Sequence, residues 1–292
     1  MTIATTCSDY NKLFGDGKNL YGDLSAAGFS AVDDNEPWYA YHPTEGVYHA
    51  SDEEFAAHFL AEKRRLEEAG LTAWQTHAPF PTYPEAHANL TQEETYLRMR
   101  EGLKRSFTAT RLLGAKYEVI HPAMRCGWGM DDDEEKTFQM NLRLFSELLP
   151  EAKKQGVTIA LENMPNAWIP TATPESLIRY IDAVGDEDFV ACLDTGHANI
   201  TKISCGEFVR ALGKRLKVLH VHDNDGKSDQ HTLPFAGNID WRDFGKALKE
   251  VGFTGAISLE AHPFYAKLPK EMGKAANVLL FAAAKKIESL IL

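Results

Sequence analysis

The chain has 292 residues, of which 44% are hydrophobic and 25% are charged, a balance typical of globular proteins. Its formal net charge is −11, which argues against a nucleic-acid-binding surface. The amino-terminal residues show no secretory signal, and the longest apolar run is too short to cross a bilayer. The four cysteines are scattered without a C-x-x-C pair, so we expect a cytoplasmic protein with no membrane contact.

Short β-branched runs alternate with longer stretches of helical periodicity along the chain. Eight strands are predicted, at residues 2–6, 29–33, 72–77, 117–121, 157–162, 189–194, 217–222 and 256–260. Helices are predicted at 52–69, 92–113, 134–155, 174–184, 205–213, 241–251 and 270–290. Several strands follow a glycine, as in EAGLTAW and KQGVTIA, and this is typical of a helix end that leads into a strand.

Strands that alternate with helices indicate right-handed crossovers and a parallel sheet. Eight such units in 292 residues match the α/β class and the (β/α)8 TIM barrel, which usually takes roughly 250 residues. The competing doubly wound sheet lacks its G-x-G-x-x-G signature after the first strand. Since no linker interrupts the pattern, residues 1–292 are expected to form a single barrel domain.

Polar residues end six consecutive predicted strands, at the mouth where a TIM barrel builds its active site. These residues are His77, His121, Glu162, Asp194 with His197, His220 with His222, and Glu260. The loop after the seventh strand adds Asp229 and His231, whereas Asp223 and Asp225 resemble turn and cap residues. Asp33 ends the second strand, and there a substrate contact and a capping role are equally compatible with the pattern.

The set as a whole predicts a metal site. A single histidine at a strand end is usually structural, and a single aspartate is usually a helix cap. Several carboxylates at one barrel mouth, however, would repel one another unless a cation lay between them. Imidazole and carboxylate together are ligands for Zn²⁺, Mn²⁺ and similar divalent ions.

Four tryptophans lie near the ends of predicted strands. They are Trp38, Trp74, Trp128 and Trp168. An aromatic ring suits the apolar face of a sugar, and it is equally common as packing material. His222 continues the inward alternation of the seventh strand, so we expect it to orient a ligand or a substrate.

Four segments resemble the xylose isomerase-like TIM barrels, a superfamily that includes sugar phosphate isomerases and epimerases. The segments are ALENMP, CLDTGHANI, LHVHDN followed by DQHTLPFAGNIDW, and SLEAH. The resemblance runs from about residue 20 to the carboxyl end and is most specific over 157–262.

The resemblance implies a metal-dependent isomerase or epimerase that acts on a small carbohydrate. It places the metal on Glu162, Asp194, His220 and Glu260, and it gives proton transfer to the two glutamates. His197 would contact the substrate. The implied cofactor is a divalent ion such as Mn²⁺, Zn²⁺, Co²⁺ or Mg²⁺.

The same superfamily contains the endonuclease IV type of abasic-site endonuclease, which carries three zinc ions. Its additional ligand positions are filled here by His77, His121, His197, Asp229 and His231. A metal-dependent phosphodiester hydrolase is therefore the rival prediction, and one to three ions are implied. An acidic and aromatic stretch after the second strand favours the sugar over DNA. A non-catalytic metal-binding barrel is the third possibility.

The last amphipathic segment, residues 274–290, is predicted to pack on the barrel as its eighth helix. A role in a homo-oligomer interface is left open by the same pattern.

Overall fold

The computed structural model describes residues 1–7, 20–79, 92–123, 134–166 and 169–291. Its strands are β1 (Ile3–Thr6), β2 (Ala31–Asp34), β3 (Thr72–His77), β4 (Tyr117–Ile120), β5 (Thr158–Glu162), β6 (Phe189–Asp194), β7 (Leu216–His220) and β8 (Ile257–Leu259). Its helices are α1 (Leu20–Ala27), α2 (Glu36–Tyr39), α3 (Asp52–Glu68), α4 (Gln92–Leu113), α5 (Glu134–Gln155), α6 (Pro174–Val184), α7 (Thr195–Ile200), α8 (Cys205–Leu212), α9 (Trp241–Val251), α10 (His262–Ala266) and α11 (Gly273–Ile291).

The eight strands form one parallel sheet in the order β7-β6-β5-β4-β3-β2-β1-β8. A parallel bridge between Val221 and Leu259 joins the two ends of this order. There the Val221 N–H donates to Ser258 O over 2.8 Å, and the Glu260 N–H donates to Val221 O over 3.0 Å. The predicted TIM barrel is therefore confirmed.

The strand ends of the sequence prediction hold to within about two residues. β7 ends at His220 and β8 at Leu259, so His222 and Glu260 lie just beyond their strands. The glycines that precede β3, β4, β5 and β8 (Gly70, Gly114, Gly156 and Gly252) all have a positive φ. They close the preceding helices in the left-handed region, as the sequence pattern indicates.

A small apolar layer fills the barrel interior. It consists of Val119, Ala160, Val190, Cys192 and Val218. A larger core lies between the strands and the surrounding helices, with fully buried rings such as Phe107, Phe145, Phe208 and Phe244. Burial of each such ring contributes about 1.5–3 kcal/mol. The interior layer also forms the floor beneath the polar residues at the carboxyl ends of the strands.

The last helix, α11, packs on the barrel as predicted. The ring of Phe281 meets that of Phe29 edge-on at a centroid distance of 5.2 Å. Val278 and Leu279 point outward and are about half exposed. A homo-oligomer interface at this helix stays a prediction. None of the helices in the described part of the chain combines the length and the apolar character needed to span a membrane.

Candidate metal centre

The final residues of neighbouring strands bring the site together. In β5, β6 and β7 the residue two positions before the last one (Ala160, Cys192 or Val218) belongs to the barrel interior. Because side chains alternate along a strand, Glu162, Asp194 and His220 also point inward, one layer higher. Asp194 and His220 are paired residues of adjacent strands.

The four residues expected to bind the main metal lie together. Glu162, Asp194, His220 and Glu260 each offer one ligand atom, and these atoms all lie within 4.8 Å of one another. All four are at most 5% exposed. Nδ1 of His220 lies 2.9 Å from Oε1 of Glu162 and 3.3 Å from Oε2 of Glu260.

The charges of this cluster fit a cation. Three carboxylates are buried side by side, and such a group is costly unless positive charge compensates it. Burial opposes ionisation of Glu162, but His220 and His121 outweigh it and hold the pKa of Glu162 well below its usual range. Burial instead raises the pKa of Glu260, although His220 and His231 oppose the rise. Oxygen and imidazole donors in this ratio suit Zn²⁺ or Mn²⁺.

A second group surrounds the other oxygen of Glu162. Nε2 of His121 lies 2.8 Å from Oε2 of Glu162, and Nε2 of His77 lies 3.6 Å from it. The rings of His77 and His121 meet at 4.9 Å. His77, Glu162 and His220 also offer ligand atoms within 4.8 Å of one another. Burial lowers the pKa of His121 to about 4, although the nearby carboxylate of Glu162 acts to raise it.

A third group centres on Asp229. Its Oδ2 lies 3.2 Å from Nε2 of His197 and 3.0 Å from Nε2 of His231, and the three residues could hold a metal. Burial opposes protonation of both histidines, but Asp194 and Asp229 raise the pKa of His197 to about 10, and Asp229 and Glu260 raise that of His231 to about 9. The side chain of Asp229 is 33% exposed, so this group opens to solvent.

The motif after β6 is held by Asn163, which sequence reasoning did not single out. Oδ1 of Asn163 accepts the Asp194 N–H over 2.7 Å, and its Nδ2 donates to Asp194 O over 3.0 Å. Nδ1 of His197 lies 2.7 Å from the Asn163 carbonyl. An amide directly after a strand-end glutamate was the available signal for this role.

A family model described as xylose isomerase-like TIM barrel matches residues 22–280. The chain belongs to the xylose isomerase-like TIM-barrel family.

The sequence relatives of this chain include an uncharacterized protein, a sugar epimerase and a probable endonuclease. The uncharacterized protein MJ1311 of Methanocaldococcus jannaschii is 32% identical over 63% of this chain and 62% of its own length. A D-psicose 3-epimerase of Ruminiclostridium cellulolyticum is 26% identical over 61% of this chain and 60% of its own. A probable endonuclease 4 of Shouchella clausii is 27% identical over 72% of this chain and 74% of its own. The chain thus matches less than two-thirds of the length of MJ1311 and of the epimerase.

Two solved structures resemble this chain over its whole length. A D-psicose 3-epimerase crystallised with D-fructose superposes with a TM-score of 0.74 at 15% identity, over 98% of this chain and 99% of its own. The IOLI protein with a bound zinc atom gives 0.72 at 19% identity, over 99% and 98%. At these identities the likeness establishes the fold.

In this family member the loop after β7 is anchored by a buried carboxylate. Asp223 accepts hydrogen bonds from the N–H groups of Asn224, Phe235 and Ile239 and from Nε1 of Trp241. Its backbone also pairs with that of Thr232. The interpretation of Asp223 as a turn residue is therefore incomplete. Its side chain also organises the loop that carries Asp229 and His231.

Two of the four tryptophans, Trp38 and Trp74, fall within the described residues, and they lie at different ends of the barrel. Trp38 lies at the mouth, with its ring 5.4 Å from that of His77. Trp74 lines a cavity of about 520 Å³ with Lys116, Tyr117 and Leu216, which lie at the amino ends of β4 and β7. Trp74 precedes His77 by three residues and so lies about 10 Å further down the strand from the mouth, and of its two possible roles the structure supports packing. Trp128 and Trp168 fall outside the described residues.

The remaining predicted residues are accounted for at the mouth. Nε2 of His222 lies 2.9 Å from Oδ2 of Asp194, and the ring of His222 stacks on that of His231 at 3.9 Å. Asp33 is fully buried beneath His220, while its neighbour Asp34 accepts the N–H of Glu36 at the start of α2. The carboxylate that accepts this N–H is thus that of Asp34 and not that of Asp33.

Proposed function

We propose that the protein is a metal-dependent isomerase or epimerase that acts on a sugar and uses Glu162 and Glu260 to exchange a proton. The observation that supports it most is the shared position of the two carboxylates. They come from β5 and from the end of β8, yet oxygens of both lie within 3.3 Å of the same nitrogen of His220. A substrate carbon bound at this point would lie within reach of both.

The cation would be held by Glu162, Asp194, His220 and Glu260, whose donor atoms fit such an ion. When bound, it supplies Lewis-acid polarisation of a carbonyl and its neighbouring hydroxyl. One relative of this chain is a D-psicose 3-epimerase, and this supports a reaction on a sugar.

The two glutamates have opposite protonation tendencies. His220 and His121 keep Glu162 ionised against the effect of burial, so Glu162 is the base that removes a proton. Burial raises the pKa of Glu260, and we assign the return of the proton to this residue. Trp38 offers a ring face beside the site, and His197 and His222 offer polar contacts to sugar hydroxyls.

The test is proton exchange with a panel of ketohexoses in D2O, read by NMR. We expect deuterium at the carbon next to the carbonyl and a new isomer or epimer. Glu162→Gln and Glu260→Gln should each slow exchange about 100- to 10,000-fold, because each removes one proton-transfer group. Glu118→Gln changes a buried glutamate outside the site and should retain full exchange. Unchanged exchange in either site variant, or no exchange with any sugar, contradicts the proposal.

Phosphodiester hydrolysis is the second candidate, and one observation favours it. The groups around Asp229 and around His77 add ligands beyond those needed for one cation. Incubation with abasic duplex DNA tests this function. Nicking by the wild-type protein that is lost in Asp229→Asn, together with three metal ions per chain, would establish it. A single bound ion and intact DNA would exclude it.

A further inference from the structure

A polar group lies beneath the metal ligands inside the barrel. Asp33 of β2 is fully buried and shares its Oδ2 atom among side chains from three other strands. Nε2 of Gln75 donates to this oxygen over 2.7 Å, and Oγ of Ser258 donates to it over 3.4 Å. Nε2 of His220 lies 3.0 Å from the same oxygen.

The two nitrogens of His220 therefore face different partners. Nδ1 points up to Glu162 and Glu260, whereas Nε2 faces Asp33 below. Asp33 is thus separated from the mouth by the imidazole ring, which rules out the direct substrate contact that the sequence left open. The Nε2–Oδ2 distance is that of a charge-assisted hydrogen bond, although the N–H is not aligned with the oxygen in this structure.

The carboxylate of Asp33 is itself fixed in place. Gln75 donates both to Asp33 and, over 3.3 Å, to the carbonyl of Leu219, the residue before His220. Among the described residues, His220 is the group that forms an ion pair with Asp33. A carboxylate inside an apolar barrel is costly without a positively charged or donating partner, so a role toward His220 accounts for its presence.

We propose that Asp33 is a positioning residue that keeps the proton of His220 on Nε2 and leaves Nδ1 free to bind the metal, with Gln75 fixing the Asp33 carboxylate. A histidine that binds a cation through one nitrogen must keep its proton on the other, and a carboxylate acceptor stabilises that tautomer and the ring orientation. The inference rests on the metal site of the proposed function and not on the sugar reaction.

Zn²⁺ affinity is the first readout, measured by competition with a chromophoric chelator. Asp33→Asn should weaken the tightest-binding Zn²⁺ about 10- to 100-fold, the usual effect of losing a partner behind a metal-bound histidine. Gln75→Leu should weaken it less, because the carboxylate remains. Asp34→Asn is the matched control, since Asp34 is the adjacent buried aspartate with its carboxylate turned to Glu36, and it should bind Zn²⁺ like the wild type.

The tautomer of His220 is the second readout, and it needs only the wild-type protein. Nitrogen-15 NMR of the Zn²⁺-loaded protein should show the proton on Nε2 and the metal on Nδ1. Zn²⁺ bound through Nε2, or a folded Asp33→Asn variant with unchanged affinity, overturns the proposal. Asp33-dependent Zn²⁺ binding without sugar exchange would instead refute the proposed function and leave this inference standing.

Discussion

Gly196, the second residue of α7, occupies a position where the site has no room for a side chain. A Cβ atom there would lie 1.9 Å from Cε1 of His222. His222 in turn contacts Asp194, one of the proposed metal ligands. The glycine of the D-T-G-H motif is therefore needed for the close approach of an imidazole to helix α7.

Gly196→Ala should displace His222 and disturb Asp194. We expect an overpacking cost of about 1–3 kcal/mol in the free energy of unfolding and a loss in Zn²⁺ affinity of about 10-fold or more. Chemical denaturation and chelator competition measure the two effects. Gly206→Ala is the control, because Gly206 is also the second residue of its helix and a Cβ there meets the ends of the Asp243 and Arg210 side chains, which form an ion pair away from the proposed metal ligands. Equal Zn²⁺ affinity in the two variants would contradict this account.

That the proposed metal ligands lie together could be predicted, because their position depends only on strand periodicity. Each follows an apolar strand, and parallel strands of a barrel end at the same mouth. The role of Asp33 could not be predicted in the same way, because it depends on how deep in the barrel the side chain lies. Trp74 illustrates a related difficulty, since pairing between β2 and β3 skips it and the alternation of side chains shifts there.

The loop between β7 and α9 depends on Asp223, whose two oxygens each accept two hydrogen bonds. Oδ2, for example, accepts from the Phe235 N–H and from Nε1 of Trp241 at 3.0 and 2.9 Å. These bonds link both ends of the loop to the end of β7. The positions of Asp229 and His231 therefore depend on a side chain that contacts neither of them.

Asp223→Asn should loosen this loop, because an amide NH₂ would face two donors in place of one oxygen. We expect a cost of about 2–4 kcal/mol in the free energy of unfolding and faster hydrogen exchange across residues 224–240. Asp225→Asn changes an exposed aspartate of the same loop and should do neither. Slow exchange in the Asp223 variant would show that other contacts hold the loop.

Helices could be predicted accurately where their apolar periodicity extends over many residues. The helices α3 to α6 match their predicted ranges within one residue at each end, since each presents two or more turns of apolar spacing. The eight-residue α1 was not predicted, because its apolar residues show little helical periodicity, whereas the equally short α8 has clear amphipathic spacing and was predicted. α7 was also missed, since the residues DTGHANI were assigned to chemistry and Asp194 additionally caps that helix.

The stability of the whole molecule should depend on the pH through Glu118, a fully buried residue on β4. Burial raises the pKa of Glu118 to about 8, although hydrogen bonds from Ser106 and Thr110 oppose this. In the unfolded chain a glutamate titrates near its ordinary value of about 4.3. Between these two values the folded protein keeps a proton that the unfolded chain has lost, so this contribution to stability falls as the pH rises.

Glu118→Gln should remove this dependence, because the amide stays neutral. We expect the variant to be more stable than the wild type near pH 9, by about 1.4 kcal/mol for each unit of pKa shift, and to approach it near pH 5. Urea unfolding at a series of pH values measures the difference. The exposed Glu68→Gln should parallel the wild type throughout. A constant offset between Glu118→Gln and the wild type would show that Glu118 is ionised in the folded protein.

The bridge between Val221 and Leu259 has a consequence for the order of assembly during synthesis. It joins the strand that carries His220 to the strand that precedes Glu260, and it is the last contact that completes the ring of strands. A growing chain that has reached residue 255 already contains Glu162, Asp194 and His220, but it lacks both the bridge and Glu260, the fourth proposed ligand. The proposed metal pocket is therefore incomplete on a ribosome-bound fragment of this length, and we expect it to bind a cation only after nearly the whole barrel has emerged.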